Sequence, residues 1–123
     1  MYTLDTNAVI YYIGNDPDAT PVIRELVGKS PIIYMATVSE IELFAFPTLS
    51  ESDTLKIREM LSSIFLVALD SKIAEIAAEI KKQTSIKIPD LIVAATAIYT
   101  KTTLVTRNIR DFNKIPNLPI LKI

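Results

Sequence analysis

Short apolar runs alternate along the chain with longer stretches in which apolar residues recur every three or four positions. Five of the short runs read as strands: MYTL at 1–4, PIIYMA at 31–36, IFLVAL at 64–69, TTLVT at 102–106 and LPILK at 118–122. Helical patterns fill the intervals. Residues 19–29 set Val22, Ile23, Leu26 and Val27 on one face, with Gly28 and then Pro31 as stop signals. Residues 38–46 spell a short helix closed by Pro47, and Ser50 with Asp53 forms a capping box for a helix reaching Ser62. Asp70 is placed to cap a helix over 71–84 whose inward stripe is Ile73, Ile76, Ala77 and Ile80. Pro89 opens a helix over 90–100 that is apolar on most sides and therefore expected to be buried.

Strands alternating with helices predict an α/β fold in which a central parallel sheet is covered on both faces, a three-layer α/β/α arrangement. In such sheets ligands bind beyond the carboxyl ends of the strands, where connections diverge to opposite faces. With 123 residues, half of them hydrophobic, the chain suits one domain spanning 1–123, and it shows no repeat, low-complexity segment or linker.

The stretch MYTLDTNAVIYYI then raises a question of cost, because Asp5, Thr6 and Asn7 interrupt two apolar runs. A buried carboxylate without a partner is expensive, so Asp5 needs one. The sequence contains no cysteine and no histidine, which excludes disulfides, zinc held by sulfur or imidazole, and every nucleophile or base built on those side chains. Chemistry here rests on carboxylates, hydroxyls, amides, Lys and Arg. No apolar run approaches the roughly 20 residues that span a bilayer, and no basic stretch with a cleavage site opens the chain, so a soluble, cytoplasmic protein is expected. The net charge is only −1, yet residues 1–80 carry five Lys or Arg against twelve Asp or Glu, and residues 81–123 carry eight against two. That asymmetry sets an acidic front beside a phosphate-attracting basic section, although solvated helix faces explain it equally simply.

Four acids from separated segments fall at the same edge of the predicted sheet. Asp5 ends the first strand, Glu42 lies in SEIELF after the second, Asp90 lies in the first turn of the apolar helix, and Asp111 follows the TTLVT strand in TRNIRDF. Carboxylates brought together repel unless a cation joins them, and an oxygen-only donor set suits Mg²⁺ or Mn²⁺. Thr6, Asn7, Thr106 and Asn108 supply hydroxyls and amides to orient ligands, water or phosphate. Each acid also has a plainer account: Asp5 as a helix cap, Asp90 as an ordinary first-turn acid, Glu42 as an exposed residue with Glu40 facing the other way, Asp111 paired with Arg107 or Arg110. Their convergence, not any single acid, carries the functional reading.

The motifs MYTLDTN, SEIEL, PDLIVAATAIYTKTTLVTRNIRDF and IPNLPILKI closely resemble PIN-domain ribonucleases, in particular VapC-type toxins of toxin–antitoxin pairs. The resemblance covers essentially the whole chain, and the Asp90 helix followed by LVTRNIRDF is its most specific part. It implies a PIN-like fold, an acidic set of Asp5, Glu42, Asp90 and Asp111 around Mg²⁺ or Mn²⁺ held chiefly by Asp5, Asp90 and Asp111, and supporting roles for Thr6, Asn7, Thr106 and Asn108. Glu42 is taken over Glu40 on the E-L step of the family pattern, and the fourth acid varies in such proteins, so Asn108 in place of Asp111 is the alternative that completes the site. It also implies an RNA substrate, a homodimer and a small antitoxin that blocks the acidic site. Phe46-Pro47 departs from the small residue many relatives carry after the glutamate helix, so that helix is expected to end early. Phosphate contacts are expected from Lys81, Lys82, Lys87, Arg107, Arg110 and Lys114. Two competing readings stand beside this one: a phospho-receiver domain with Asp70 as acceptor, for which LDTN supplies one acid too few, and a PIN-like binding module that has lost catalysis.

Overall fold

The computed structural model describes residues 1–29 and 32–123. Its elements follow in the order β1 (Tyr2–Leu4), α1 (Thr6–Ile13), α2 (Ala19–Lys29), β2 (Ile33–Ala36), α3 (Thr37–Phe44), α4 (Glu51–Leu61), β3 (Phe65–Val67), α5 (Ser71–Gln83), α6 (Ile88–Thr100), β4 (Thr103–Thr106), α7 (Ile109–Phe112) and β5 (Ile120–Lys122). The strands form one five-stranded sheet in the order β3-β2-β1-β4-β5, every pair parallel.

Strand alternation divides the core into two layers. Leu4, Met35 and Val105 face a cluster built by Ala8, Val9, Ile23, Leu43, Ile57 and Met60, from α1 to α4. Leu104 and Ala36 face a second cluster of Ile80 from α5, Leu91, Val93, Ala94 and Ala97 from α6, and Phe112 from α7. Seven successive residues of α6, Leu91 to Ala97, are buried, which is why this helix is apolar all round. Its one buried hydroxyl, Thr96, returns its proton to the Ile92 carbonyl at 2.7 Å. The predicted caps hold: Ser50 and Asp53 close a reciprocal capping box on α4, and the Asp70 side chain accepts from the Ile73 N–H at the start of α5.

Where expectation and structure differ, local chemistry gives the reason. α2 spans Ala19–Lys29, the expected range, and the expected stop at Pro31 lies outside the described residues. α3 ends at Phe44, two residues short of the predicted 46, with Ala45 as its cap ahead of Pro47. The four-residue helix α7 is too short to show periodicity in sequence. No helix among the described residues is long and apolar enough to cross a membrane.

The chain leaves β1 through α1 and α2 on one face and enters β4 from α5 and α6 on the other. The carboxyl ends of β1 and β4 therefore flank the point where connections diverge, the position at which open α/β sheets bind ligands.

Candidate active site

Asp5 follows β1 directly and caps α1. Its Oδ1 accepts from the Thr6 N–H at 2.8 Å, and its Oδ2 accepts from the Thr106 hydroxyl at 2.9 Å across the β1–β4 junction. The plainer account of Asp5 as a cap is thus correct and incomplete, because its second oxygen is spent on the neighbouring strand. The residue is 4% exposed. Burial is the main force raising its pKa; the Thr106 and Thr6 hydrogen bonds oppose it, the charges of Asp90 and Glu42 add to it, and the result is a pKa of about 6.

From Asp5 a chain of hydrogen bonds extends both ways. In one direction, the Thr6 hydroxyl lies 2.8 Å from Ser39 Oγ and 2.9 Å from Glu42 Oε1, which ties α1 to α3. In the other, Thr106 Oγ1 accepts from the Asn108 N–H at 3.0 Å while donating to Asp5. The Asn108 side chain then donates to Asp111 Oδ2 at 3.1 Å, and its own Oδ1 accepts from the Asp111 N–H at 3.4 Å. Glu42, Asp5 and Asp111 are thereby linked through three intervening polar residues, all of them short and held by adjacent elements.

Asp90 approaches from α6, on the opposite layer. Among the described residues it has no hydrogen-bond or ion-pair partner. Half-buried, its carboxyl has a raised pKa: burial contributes most, the charges of Glu42 and Asp111 add to it, and Lys87 partly offsets them. Asp5 thus senses the charges of Asp90 and Glu42, and Asp90 those of Glu42 and Asp111, which is the condition a cation relieves. Among the described residues no three of them converge closely enough to enclose an ion outright. An ion bound here would retain several waters, as Mg²⁺ does when one or two carboxylates hold it.

The other expected residues are placed as follows. Asn7 is exposed on the first turn of α1 and joins none of these contacts. Lys87 acts on Asp90, and Arg110 Nε and Lys114 Nζ stand 3.9 and 4.0 Å from Asp111 Oδ1, so these three cations border the acids. Lys81 and Lys82 lie in the last turn of α5, Lys82 paired with Glu79 at 2.8 Å, and neither contacts the acid cluster. Arg107 is engaged within the chain instead of standing free beside the acids. Its guanidinium makes a bidentate pair with Asp16 at 2.8 and 3.0 Å, its Nε donates to the Ile123 carbonyl at 3.0 Å, and it stacks 4.1 Å over the Tyr11 ring. Asp70 is an N-cap on the far edge strand's connection, away from the acids, and does not serve as a phosphoryl acceptor in a carboxylate cluster. Sequence reasoning missed Ser39, which helical spacing could have found because it sits one turn before Glu42. It also missed the Asp16 partner of Arg107, ninety-one residues away, for which no local signal exists.

A parallel three-layer α/β/α domain with carboxylates gathered at the topological switch point defines a class of sheet-edge acidic sites. Within that class the assignment is specific: a PIN domain model matches residues 2–118, and the chain belongs to the PIN domain family. It is 31% identical over 126 residues to Ribonuclease VapC2 of Rickettsia felis, covering 96% of this chain and 94% of that protein. The fold superimposes with a TM-score of 0.82 and 29% identity on the structure of VapBC2 from Rickettsia felis bound to a promoter DNA fragment, over 99% of this chain and 98% of that one. DNA-bound VapBC from Salmonella typhimurium shares the fold with a TM-score of 0.83 at 23% identity, over 98% of this chain and 96% of that one.

Proposed function

We propose that this protein is a divalent-metal-dependent ribonuclease, the toxin member of a VapBC-type toxin–antitoxin pair. The observation that carries the proposal is the hydrogen-bonded line from Glu42 through Thr6, Asp5, Thr106 and Asn108 to Asp111, with Asp90, unpartnered among the described residues, beside it. The likeness to Ribonuclease VapC2 supports RNA as substrate, and the paired structure of that relative supports an antitoxin partner.

The donor set fits Mg²⁺ or Mn²⁺, because the four acids with Thr6, Thr106 and Asn108 offer oxygen and the acids carry more negative charge than the bordering Lys87, Arg110 and Lys114 offset. When bound, such an ion supplies positive charge opposite a phosphodiester and lowers the pKa of a water in its shell. Asp5, Asp90 and Asp111 would hold it, in part through waters it retains, since no three carboxylates among the described residues converge on one point. Thr106 and Thr6 fix the two oxygens of Asp5, and Asn108 fixes Asp111, so these groups need no reorganisation as charge develops. Lys87, Arg110 and Lys114 draw the RNA backbone toward the acids by charge and carry no base information. In the hydrolysis itself a water oxygen bonds to phosphorus, one phosphorus–oxygen bond to the sugar breaks, the water's proton passes to a neighbouring base, and the departing oxygen gains a proton.

The test is cleavage of a structured RNA pool with Mn²⁺, Mg²⁺ or EDTA by the wild type, Asp5→Asn and Asp90→Asn. Cutting is expected only with metal, and each variant is expected to lose at least about 100-fold in rate, equivalent to about 2.7 kcal/mol of transition-state stabilisation. Metal-independent cutting, or full activity in both variants, overturns the assignment.

A further inference from the structure

We propose that Arg107 is a positioning residue for the acid cluster, acting through a bidentate pair with Asp16 that holds the turn between β4 and α7; the inference rests on the nuclease reading of that cluster. The turn divides its work among three successive residues. Thr106 and Asn108 reach the acids, and Arg107, between them, is secured to α1 and the segment after it.

The attachment is unusually complete for a loop residue. Both terminal nitrogens bind Asp16, at 3.0 Å to Oδ2 and 2.8 Å to Oδ1, Nε binds the Ile123 carbonyl, and the guanidinium plane covers Tyr11. A planar fork meeting a carboxylate fixes orientation as well as position, which a point charge does not. Asp16 is itself held, since its Oδ1 also accepts from the Asp18 and Ala19 N–H groups at 3.0 and 2.9 Å. The main chain of Arg107 then sets the next residue. Its carbonyl accepts from the Ile109 N–H at 2.9 Å, closing a three-residue turn about Asn108, whose φ of −81° and ψ of 65° match an inverse γ-turn. That turn aims the Asn108 amide at Asp111 and its N–H at Thr106. Fixing Arg107 therefore fixes the spacing of Asp111 from Asp5, although Arg107 touches neither acid.

The pairing also separates this role from a phosphate contact. A guanidinium neutralised by Asp16 offers little net charge to RNA, and releasing it would cost the turn its anchor.

The experiment compares wild type, Arg107→Gln, Arg107→Lys, Asp16→Asn and the Arg107→Gln/Asp16→Asn double variant by two independent readouts. Amide hydrogen exchange on the metal-free proteins is expected to speed up about tenfold or more at Asn108 and Asp111 in each single variant, with Leu4 and Met35 unchanged. Cleavage of RNA with Mn²⁺ is expected to lose about 10–100-fold in kcat with KM within about twofold, the range seen when a group that orients metal ligands is removed. The double variant should be no worse than either single one, and Arg107→Lys should recover part of the loss. Unchanged exchange at Asn108 and Asp111 overturns the proposal whether or not RNA is cut. A raised KM and a shallower salt dependence in Arg107→Gln but not in Asp16→Asn also overturn it, in favour of a phosphate contact. If exchange responds while the wild type cuts nothing, the brace stands and the nuclease reading falls. Should Arg107→Gln fail to fold, Asp16→Asn carries the same comparison.

Discussion

The turn after β4 separates two ways of carrying charge. On one side Asp16 meets Arg107 in a bidentate pair, and that hydrogen bonding, together with the N–H of Ala19, holds its carboxyl well below the usual carboxylate range. On the other side, a few residues away in space and chemistry, Asp5 is buried beside other acids and sits at a pKa of about 6. The same side chain is therefore stabilised as an anion in one place and destabilised as an anion in the other. Compensated charge fixes the frame; uncompensated charge is left where a cation or a phosphate-bearing substrate can use it.

Removing the uncompensated charge should break this comparison most visibly. Asp5 binds its proton more tightly folded than unfolded, since about 6 lies above the ordinary 3.8. Without metal, its contribution is therefore most favourable below pH 4, declines as pH rises from about 4 to about 6, and stays low above that, by at most about 3 kcal/mol. Asp5→Asn is expected to remove that decline and raise the stability of the metal-free protein at pH 7, as read by urea unfolding at pH 4, 5, 6 and 7. Mn²⁺ should restore stability at pH 7 to the wild type and not to the variant, because only the former gains a bound ion in its folded state. A variant that unfolds more easily than wild type at pH 7 would show that Asp5 is already compensated.

A smaller effect sharpens the same contrast from within the hydrogen-bonded line. Thr106 is fully buried and its hydroxyl serves Asp5 and Asn108 at once. Thr106→Val keeps the shape and strands both partners, at a cost of about 1–3 kcal/mol. It should also push the Asp5 titration above 6, because the hydrogen bond that most favours the charged form is gone. Carbon-13 NMR of the Asp5 carboxyl reads the shift directly. An unmoved titration would mean that Thr106 only fills space.

These regions were not equally legible in the sequence. The five strands, the capping box at Ser50 and Asp53, and the buried α6 helix follow from apolar spacing and cap chemistry, which act over a few residues and leave a local trace. The places of Asp5, Asp90 and Asp111 follow from one further rule, that carboxyl ends of parallel strands meet at the switch point, whereas the choice of Glu42 over Glu40 rests on the family resemblance. What stayed hidden was set by partners distant in sequence. Arg107 reads as a free cation until folding brings Asp16 and Tyr11 to it, and Ser39 reads as one more helix polar residue until Thr6 is seen against it. α7 escaped because four residues cannot express a helical period.

The smallest effect belongs to charges that are paired and yet build nothing. Lys29 and Glu25 meet at 2.8 Å along α2, close to the separation in the Arg107–Asp16 pair, but their side chains are 77% and 62% exposed, against 32% and 23%. Solvent screens such a pair, and two long side chains must be held still to form it, so its contribution nearly cancels. Glu25→Gln is expected to shift the thermal midpoint by no more than about 2 °C and to leave RNA cleavage unchanged, whereas Asp16→Asn slows cleavage. Raising salt from 0.1 to 1 M should erase what difference Glu25→Gln makes while leaving most of the Asp16 effect, since the latter depends on directed hydrogen bonds from a half-buried fork. Equal salt sensitivity in the two variants would mean that distance alone governs these pairs, and that the geometry of the Arg107 fork adds nothing to them.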